Sequence, residues 1–199
     1  MMYMLFIEVV ASMFVVDLLS GLVHMFLDYQ SIEGNLKGHV EKTIPAIRKF
    51  ETTPRFLNAP PWEKFLWDFQ IHHEVPYPSA VSEWELAMQI VRPVALPYAL
   101  SGGAYALGYI GGPAARIWMM SLTLSPLVQA THFAAHRRSH GQLTGVVGSI
   151  VSRLQDAGLI LHPLTHKRHH ETFDCNFCIL NGWANPIVNR LNYFKRHSA

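Results

Sequence analysis

The sequence predicts an all-α integral membrane protein with about three membrane spans and a histidine-rich helical site on one face. Three observations carry that prediction. Half of the 199 residues are hydrophobic and only 15% are charged, below the roughly 25% charged residues of typical soluble domains. The apolar residues gather in three long stretches, and no strand-like alternation, internal repeat or low-complexity tract interrupts them. Third, the chain holds 12 histidines against 2 cysteines, and histidine is the commonest neutral nitrogen ligand for iron, zinc and copper. A chain of this length most simply forms one domain, residues 1–199. A net charge of +2 argues against a nucleic-acid partner, which needs a strongly basic face. Two cysteines cannot make a disulfide framework.

The first stretch, MMYMLFIEVVASMFVVDLLSGLVHMFLD, is apolar for more than the roughly 20 residues a span needs. It lacks the basic n-region and small-residue cleavage site of a signal peptide, so it is expected to be retained. Glu8, Asp17 and His24 interrupt it, and ionisable groups at membrane depth point to function. The competing reading is a buried helix of a soluble protein. Residues 31–61 are polar and broken by Pro and Gly, which predicts an irregular connection with one short amphipathic helix. The segment PWEKFLWDFQIHHE opens with Pro61 and spaces Phe65, Leu66 and Phe69 along one helical face.

Residues 84–110 and 114–135 are the other two apolar stretches, separated by the turn sequence GYIGGP. They predict a membrane hairpin whose first arm is interrupted by Arg92, Pro93 and Pro97. Beyond it come Arg137, Arg138, Arg153, Lys167, Arg168, Lys195 and Arg196, which by the positive-inside rule set the C-terminal third on the cytoplasmic side. The turn near Gly111 then lies on the far side, and residues 28 and 84 are cytoplasmic. In this topology His24, the His72/His73 pair, the region after His132 and the 166–170 cluster converge on the cytoplasmic face.

Spacing gives these histidines a chemical sense. His132 and His136 in THFAAHRRSH are four apart, one above the other at about 6 Å along a helix axis. His136 and His140 have the same spacing; Gly141, expected to end the helix, favours the first pair. In HKRHH, His166 shares a face with both His169 and His170, so Lys167 and Arg168 project elsewhere. His72 and His73 are roughly 100° apart on a helix, suited to reaching two metals. His24 has Asp17 seven residues before it and Asp28 four after, near one face.

Each motif alone is common on protein surfaces; their combination in one short apolar chain is specific. Eight histidines without a cysteine cluster exceed a tetrahedral zinc site and suit two adjacent metals. Nitrogen-rich ligation with open positions is the chemistry of non-haem iron and oxygen.

These boxes resemble those of membrane di-iron desaturases and hydroxylases, and the surrounding text is more specific. DLLSGLVHMFLD resembles the D-SGLVHW--D element of the plasmanylethanolamine desaturase family. FQIHHEVP is similar to that family's F-HH--P, and QATHFAAH to its H---H box. LQDAGLILHPLTHKRHHETFDCNFCILNGWAN resembles its C-terminal signature of a QD-containing helix, HxxHH, an aromatic-Cys step and GW-N. The plant chloroplast palmitate trans-desaturases of phosphatidylglycerol share that signature. The resemblance runs from Asp17 to Asn185.

It implies metal ligation by His24, His72, His73, His132, His136, His166, His169 and His170. It further implies two non-haem iron ions, O2 as co-substrate, a membrane lipid substrate, and an external electron donor of the cytochrome b5 or ferredoxin type. Two departures stand out. The family commonly has a span ahead of the His24 helix, whereas this chain starts almost inside it, which predicts an N-terminus on the opposite face. Met25 stands where the plasmalogen enzymes carry Trp, which leaves the lipid open.

Asp17, Asp28, Asp156, Asp174 and Asn176 are candidates to orient the ligating imidazoles, with solvated or capping roles as the alternative. His39, His140, His162 and His197 read as surface or interfacial residues. His162-Pro163 lacks the glycines of a haem motif, and Cys175 and Cys178 have no second pair, so they read as packing. Phe65, Trp67, Phe69, Trp84 and Trp118 read as core or interface aromatics.

Two functions remain open on the residues. One is an O2-activating enzyme that removes hydrogen from an unactivated lipid methylene, by desaturation or by hydroxylation. The other is a non-catalytic histidine-rich metal-binding or transport protein, although transporters usually place ligands near the midplane.

Overall fold

The computed structural model describes residues 2–30, 43–74 and 83–197. Among them lie ten helices and no strand. In chain order they are α1 (Met2–Asp28), α2 (Ile44–Glu51), α3 (Pro54–Leu57), α4 (Pro61–Glu74) and α5 (Glu83–Ala106). The rest are α6 (Gly112–Leu124), α7 (Leu127–Ser139), α8 (Gly145–Asp156), α9 (Pro163–Thr172) and α10 (Asn185–His197). The chain divides into two compact units, Met1–Val23 with Ser82–Ala199, and His24–Val81. The boundary falls inside α1, whose last turn belongs to the second unit.

In the first unit, α1 is long and apolar enough to cross a membrane, and it is the one such helix among the described residues. Its Tyr3, Phe6 and Leu19 are exposed, as are Leu96 and Leu100 of α5; such side chains avoid water only against lipid or a partner. The second apolar stretch forms α5, which packs on α6 across a turn closed by Gly108 in the left-handed conformation, φ 76°. Trp118 ties this hairpin by donating its indole N–H to Ser101 Oγ at 2.9 Å. The third stretch, expected as one span over 114–135, is interrupted between α6 and α7. Pro126 lacks the N–H that a continuous helix requires, and Ser125 Oγ donates instead to the Leu122 carbonyl at 2.8 Å.

Two of the charges that interrupt α1 have structural explanations in this unit. The buried Glu8 carboxylate accepts two bonds from the Arg116 guanidinium, at 3.0 and 2.6 Å. A turn further on, Ser12 Oγ donates to the Glu8 and Ile117 carbonyls at 2.7 and 3.1 Å. Small hydroxyl residues that let two backbones approach and bond across them are how helices associate in lipid. Asp17 is fully buried. Its Oδ1 accepts the backbone N–H groups of Leu180, Asn181 and Gly182 at 3.1, 3.0 and 3.1 Å, and its Oδ2 that of Ala184 at 2.9 Å. A carboxylate that collects four N–H donors fixes the loop before α10 to α1.

Gly21 permits this approach: a Cβ there would lie 2.4 Å from Cys178 Sγ. The Trp183 indole donates to the Gly158 carbonyl at 2.7 Å, so the turn after α8 is fastened to the same loop. The core beneath is Val16, Val128, Ala135, Leu161, Ile179 and Leu180.

The second unit is centred on Trp67, with Ile47, Ile71, Phe50 and Phe56 around it. The short helix expected within 31–61 is α2, capped by Thr43 Oγ1, which accepts the Ala46 N–H. Residues 31–42 and 75–82 lie outside the described ones, as do His39 and the side chains of Trp84 and His197. Gln70 fastens α4 to the end of α1. Its amide donates to the Leu27 and Gln30 carbonyls at 2.9 and 2.8 Å, acceptors that a helix end leaves without intrahelical partners.

Candidate metal centre

The first unit brings α7 and α9 together through four imidazoles. His132 and His136, one turn apart on α7, place their Nε2 atoms 3.2 Å apart. His166 of α9 sets its Nε2 at 2.9 Å from that of His136 and at 2.9 Å from that of His170. Ligand nitrogens of His132, His136 and His170 all lie within 4.8 Å of one another. His166 and His169 are buried, whereas Lys167 and Arg168 between them are exposed. Lys167 pairs with Glu171 at 3.6 Å, so the two cations leave the histidine face as expected.

The helix ends set this register. His162 Nδ1 accepts the Leu164 N–H at 3.2 Å and caps α9, and Phe173, at φ 54°, closes it. His140 caps α7 with Gly141 behind it at φ 67°. Its Nδ1 donates to the His136 carbonyl at 2.9 Å, a different role from that of the pair before it.

Ring orientation follows from bonds on the far nitrogen. His169 Nδ1 donates to the Cys175 carbonyl at 2.8 Å, and His132 Nδ1 to Gln129 Oε1 at 3.2 Å. An imidazole committed in this way keeps its lone pair on Nε2, the usual arrangement in a metal ligand. Charge is suppressed as well. Burial lowers the His169 pKa to about 4, partly opposed by the Cys175 carbonyl and the Asp174 charge. Burial first, and then the neighbouring imidazoles, hold His166 well below its ordinary value. Both are therefore neutral bases at pH 7.

The second unit gathers His24 and Asp28 from the end of α1 with His72 and His73 of α4. His24 Nε2 and His73 Nε2 are 3.4 Å apart. Asp28 Oδ2 lies 3.6 Å from the first and Oδ1 3.4 Å from the second. His72 Nδ1 meets the Phe69 carbonyl one turn back. The His72 and His73 rings stand at 88° to each other with centroids 4.2 Å apart, so the adjacent pair aims in two directions. The Phe69 ring meets His24 edge-on at 5.1 Å.

The five residues expected to orient the imidazoles do different things. Asp28 faces two of them. Asp17 collects backbone N–H groups and organises a loop. Asp156 pairs with Arg138 at 2.7 Å and lies 3.7 Å from His162. The Asp174 carbonyl accepts from Asn192 Nδ2 at 2.7 Å, while its carboxylate acts on His169 through charge. Asn176 donates to the Thr165 carbonyl at 3.3 Å and takes the Asn189 amide oxygen on its own N–H at 2.7 Å, which steadies α9. Gln129, Gln70 and the Cys175 carbonyl were not expected. Gln129 has a weak signal, three residues before His132 on one helix; a backbone carbonyl has none.

Both donor sets suit a first-row transition metal, being imidazoles with, in the second unit, one carboxylate. Residues 61–198 match the model of the lipid desaturase domain, more than two thirds of the chain. No curated protein and no solved structure matches it. The family match begins after His24, so the place of His24 beside His73 is an independent, geometric observation.

Proposed function

Because the chain belongs to the lipid desaturase family, we propose that it is an O2-dependent di-iron enzyme that introduces a double bond into the acyl or ether chain of a membrane lipid. The observation that carries this reading is the group of Nε2 atoms of His132, His136, His166 and His170 at 2.9–3.2 Å steps inside that domain. His24, His72, His73, His132, His136, His166, His169 and His170 would hold the two metals. When bound, iron supplies activation of O2 and the oxidising power to remove two hydrogens from neighbouring carbons.

The chain's own contribution is to keep His166 and His169 neutral by burial and to fix the tautomers of His169 and His132. The Cys175 carbonyl and Gln129 hold Nε2 of His169 and His132 as the available base. Asp17 and Asn176 hold the loops around α9 so that His166, His169 and His170 keep their register.

In this reading the substrate is a plasmanyl-type ether lipid or a phospholipid acyl chain, and electrons come from a cytochrome b5- or ferredoxin-type donor. The enzyme sits in the membrane through about three spans, formed by α1, α5 and the α6–α7 pair, with the histidines on the cytoplasmic face. Tags at residues 1 and 199 should then be accessible from opposite sides in protease-protection assays; same-side tags would overturn the three-span topology. The test of the function is metal analysis with oxygen uptake on protein purified from iron-supplemented cells. Iron near two per chain and lipid-dependent O2 consumption are expected; zinc or copper alone, with no O2 consumption, would favour a non-catalytic metal protein.

A further inference from the structure

A carboxylate that merely orients a ligating histidine accepts the N–H of the nitrogen that does not bind the metal. Asp28 does otherwise. Both its oxygens face Nε2, Oδ2 at 3.6 Å from His24 and Oδ1 at 3.4 Å from His73, and these two Nε2 atoms are themselves 3.4 Å apart. One ligand atom from each of the three residues fits within 4.8 Å of the others. The side chains of His24, Asp28 and His73 are only 1%, 8% and 6% exposed, so the three are shielded from bulk water. Donors bound at about 2.1 Å to one ion stand roughly 3.0–3.4 Å from each other, which is close to the triangle observed.

We infer that Asp28 is itself a metal ligand, and that it joins His24 and His73 in the ligand set of one of the two metals. The other group, His132, His136, His166 and His170, is all nitrogen, so the two metals are chemically unlike. Imidazoles combined with a carboxylate are a ligand set that suits oxygen-activating non-haem iron(II). The local sequence explains how these three side chains meet. His24 and Asp28 are four apart on the last turn of α1, which brings them to one face. The Gln70 bonds to the Leu27 and Gln30 carbonyls hold α4, and with it His73, against that turn.

This inference rests on the proposal that the chain binds two metals, and cobalt(II) separates the two. Wild type, Asp28→Asn, Asp28→Glu and Asp28→Cys are purified metal-free and titrated with cobalt(II), with bound cobalt and the absorption spectrum recorded. Wild type should bind two per chain. Asp28→Asn should bind one of them at least tenfold more weakly, and Asp28→Glu should restore part of that loss, which guards against a folding defect. Asp28→Cys should show a thiolate-to-cobalt charge-transfer band absent from wild type, a signature that requires direct ligation. Two cobalt ions bound by Asp28→Asn with wild-type affinity and spectrum would overturn the inference. So would full loading of Asp28→Cys without the band. Failure of wild type to bind cobalt would instead overturn the two-metal reading.

Discussion

His169 donates its Nδ1 proton to the Cys175 carbonyl at 2.8 Å, and that bond determines which nitrogen keeps a lone pair. The α9 helix stops two residues earlier at Phe173, in a left-handed conformation, and the turn this produces carries Cys175 back to the ring. The cysteine thus matters through its backbone. Cys175→Ser should keep metal content and activity within about twofold, measured beside wild type; a loss of metal would make the thiol a participant.

Single replacements of His132, His136, His166, His169 or His170 by Ala should abolish turnover and lower metal content, while the protein remains in the membrane. Gln129→Ala, which frees only the far side of His132, should cost about 10–100-fold in metal affinity or activity. His140→Ala should be tolerated, because that ring caps α7. Near-full activity and unchanged metal in two of the five histidine variants would show that the boxes are misassigned.

Much of this arrangement is legible in the sequence. Helical spacing alone places His166, His169 and His170 on one face with Lys167 and Arg168 off it, and this is how α9 is built. Gly141 likewise marks the end of α7. What spacing cannot reveal is the partner of a charge. Asp17 and Asp28 look alike, both acidic and both near His24 on the same helix. One binds four backbone N–H groups more than 160 residues away in sequence, and the other faces His73. The break at Pro126 was hidden because an apolar run conceals a missing backbone donor.

Asp17→Ala should be the most damaging substitution outside the histidines. It leaves four N–H groups without their acceptor in a buried loop, at about 1–3 kcal/mol for each group that finds no other. Gly21→Ala should also destabilise, since its Cβ would meet Cys178 at 2.4 Å. Thermal unfolding in detergent measures both; a melting temperature within a degree or two of wild type for Asp17→Ala would contradict the clamp.

Acid should destabilise the metal-free protein. The folded-state pKa of His169 is about 4 against roughly 6.5 in the unfolded chain. Between those values the unfolded chain holds a proton that the folded one refuses, so stability present above pH 6.5 is lost as pH falls through 4. The loss from this one ring is of order 3 kcal/mol. His169→Gln should flatten the profile of melting temperature against pH, and a wild-type profile that rises on acidification would refute it.

Lys167 and Arg168 are exposed on α9, and in the proposed function they would meet lipid phosphates or an acidic electron donor. Changing both to Gln should leave metal content intact. If they recruit the donor, turnover with the physiological donor should fall and become less salt-sensitive, as expected for lost steering, while turnover with a small chemical reductant is preserved. A double variant that lost its metal would place these side chains in the ligand shell instead.

The most direct test of the central claim is comparative lipidomics of cells that carry the wild-type protein, the His136→Ala variant or neither. Wild-type cells alone should contain a lipid species lighter by two hydrogens, with fragmentation locating a new double bond in an acyl or ether chain. A product heavier by one oxygen would make the enzyme a hydroxylase, and lipid profiles identical in all three cells would contradict the account.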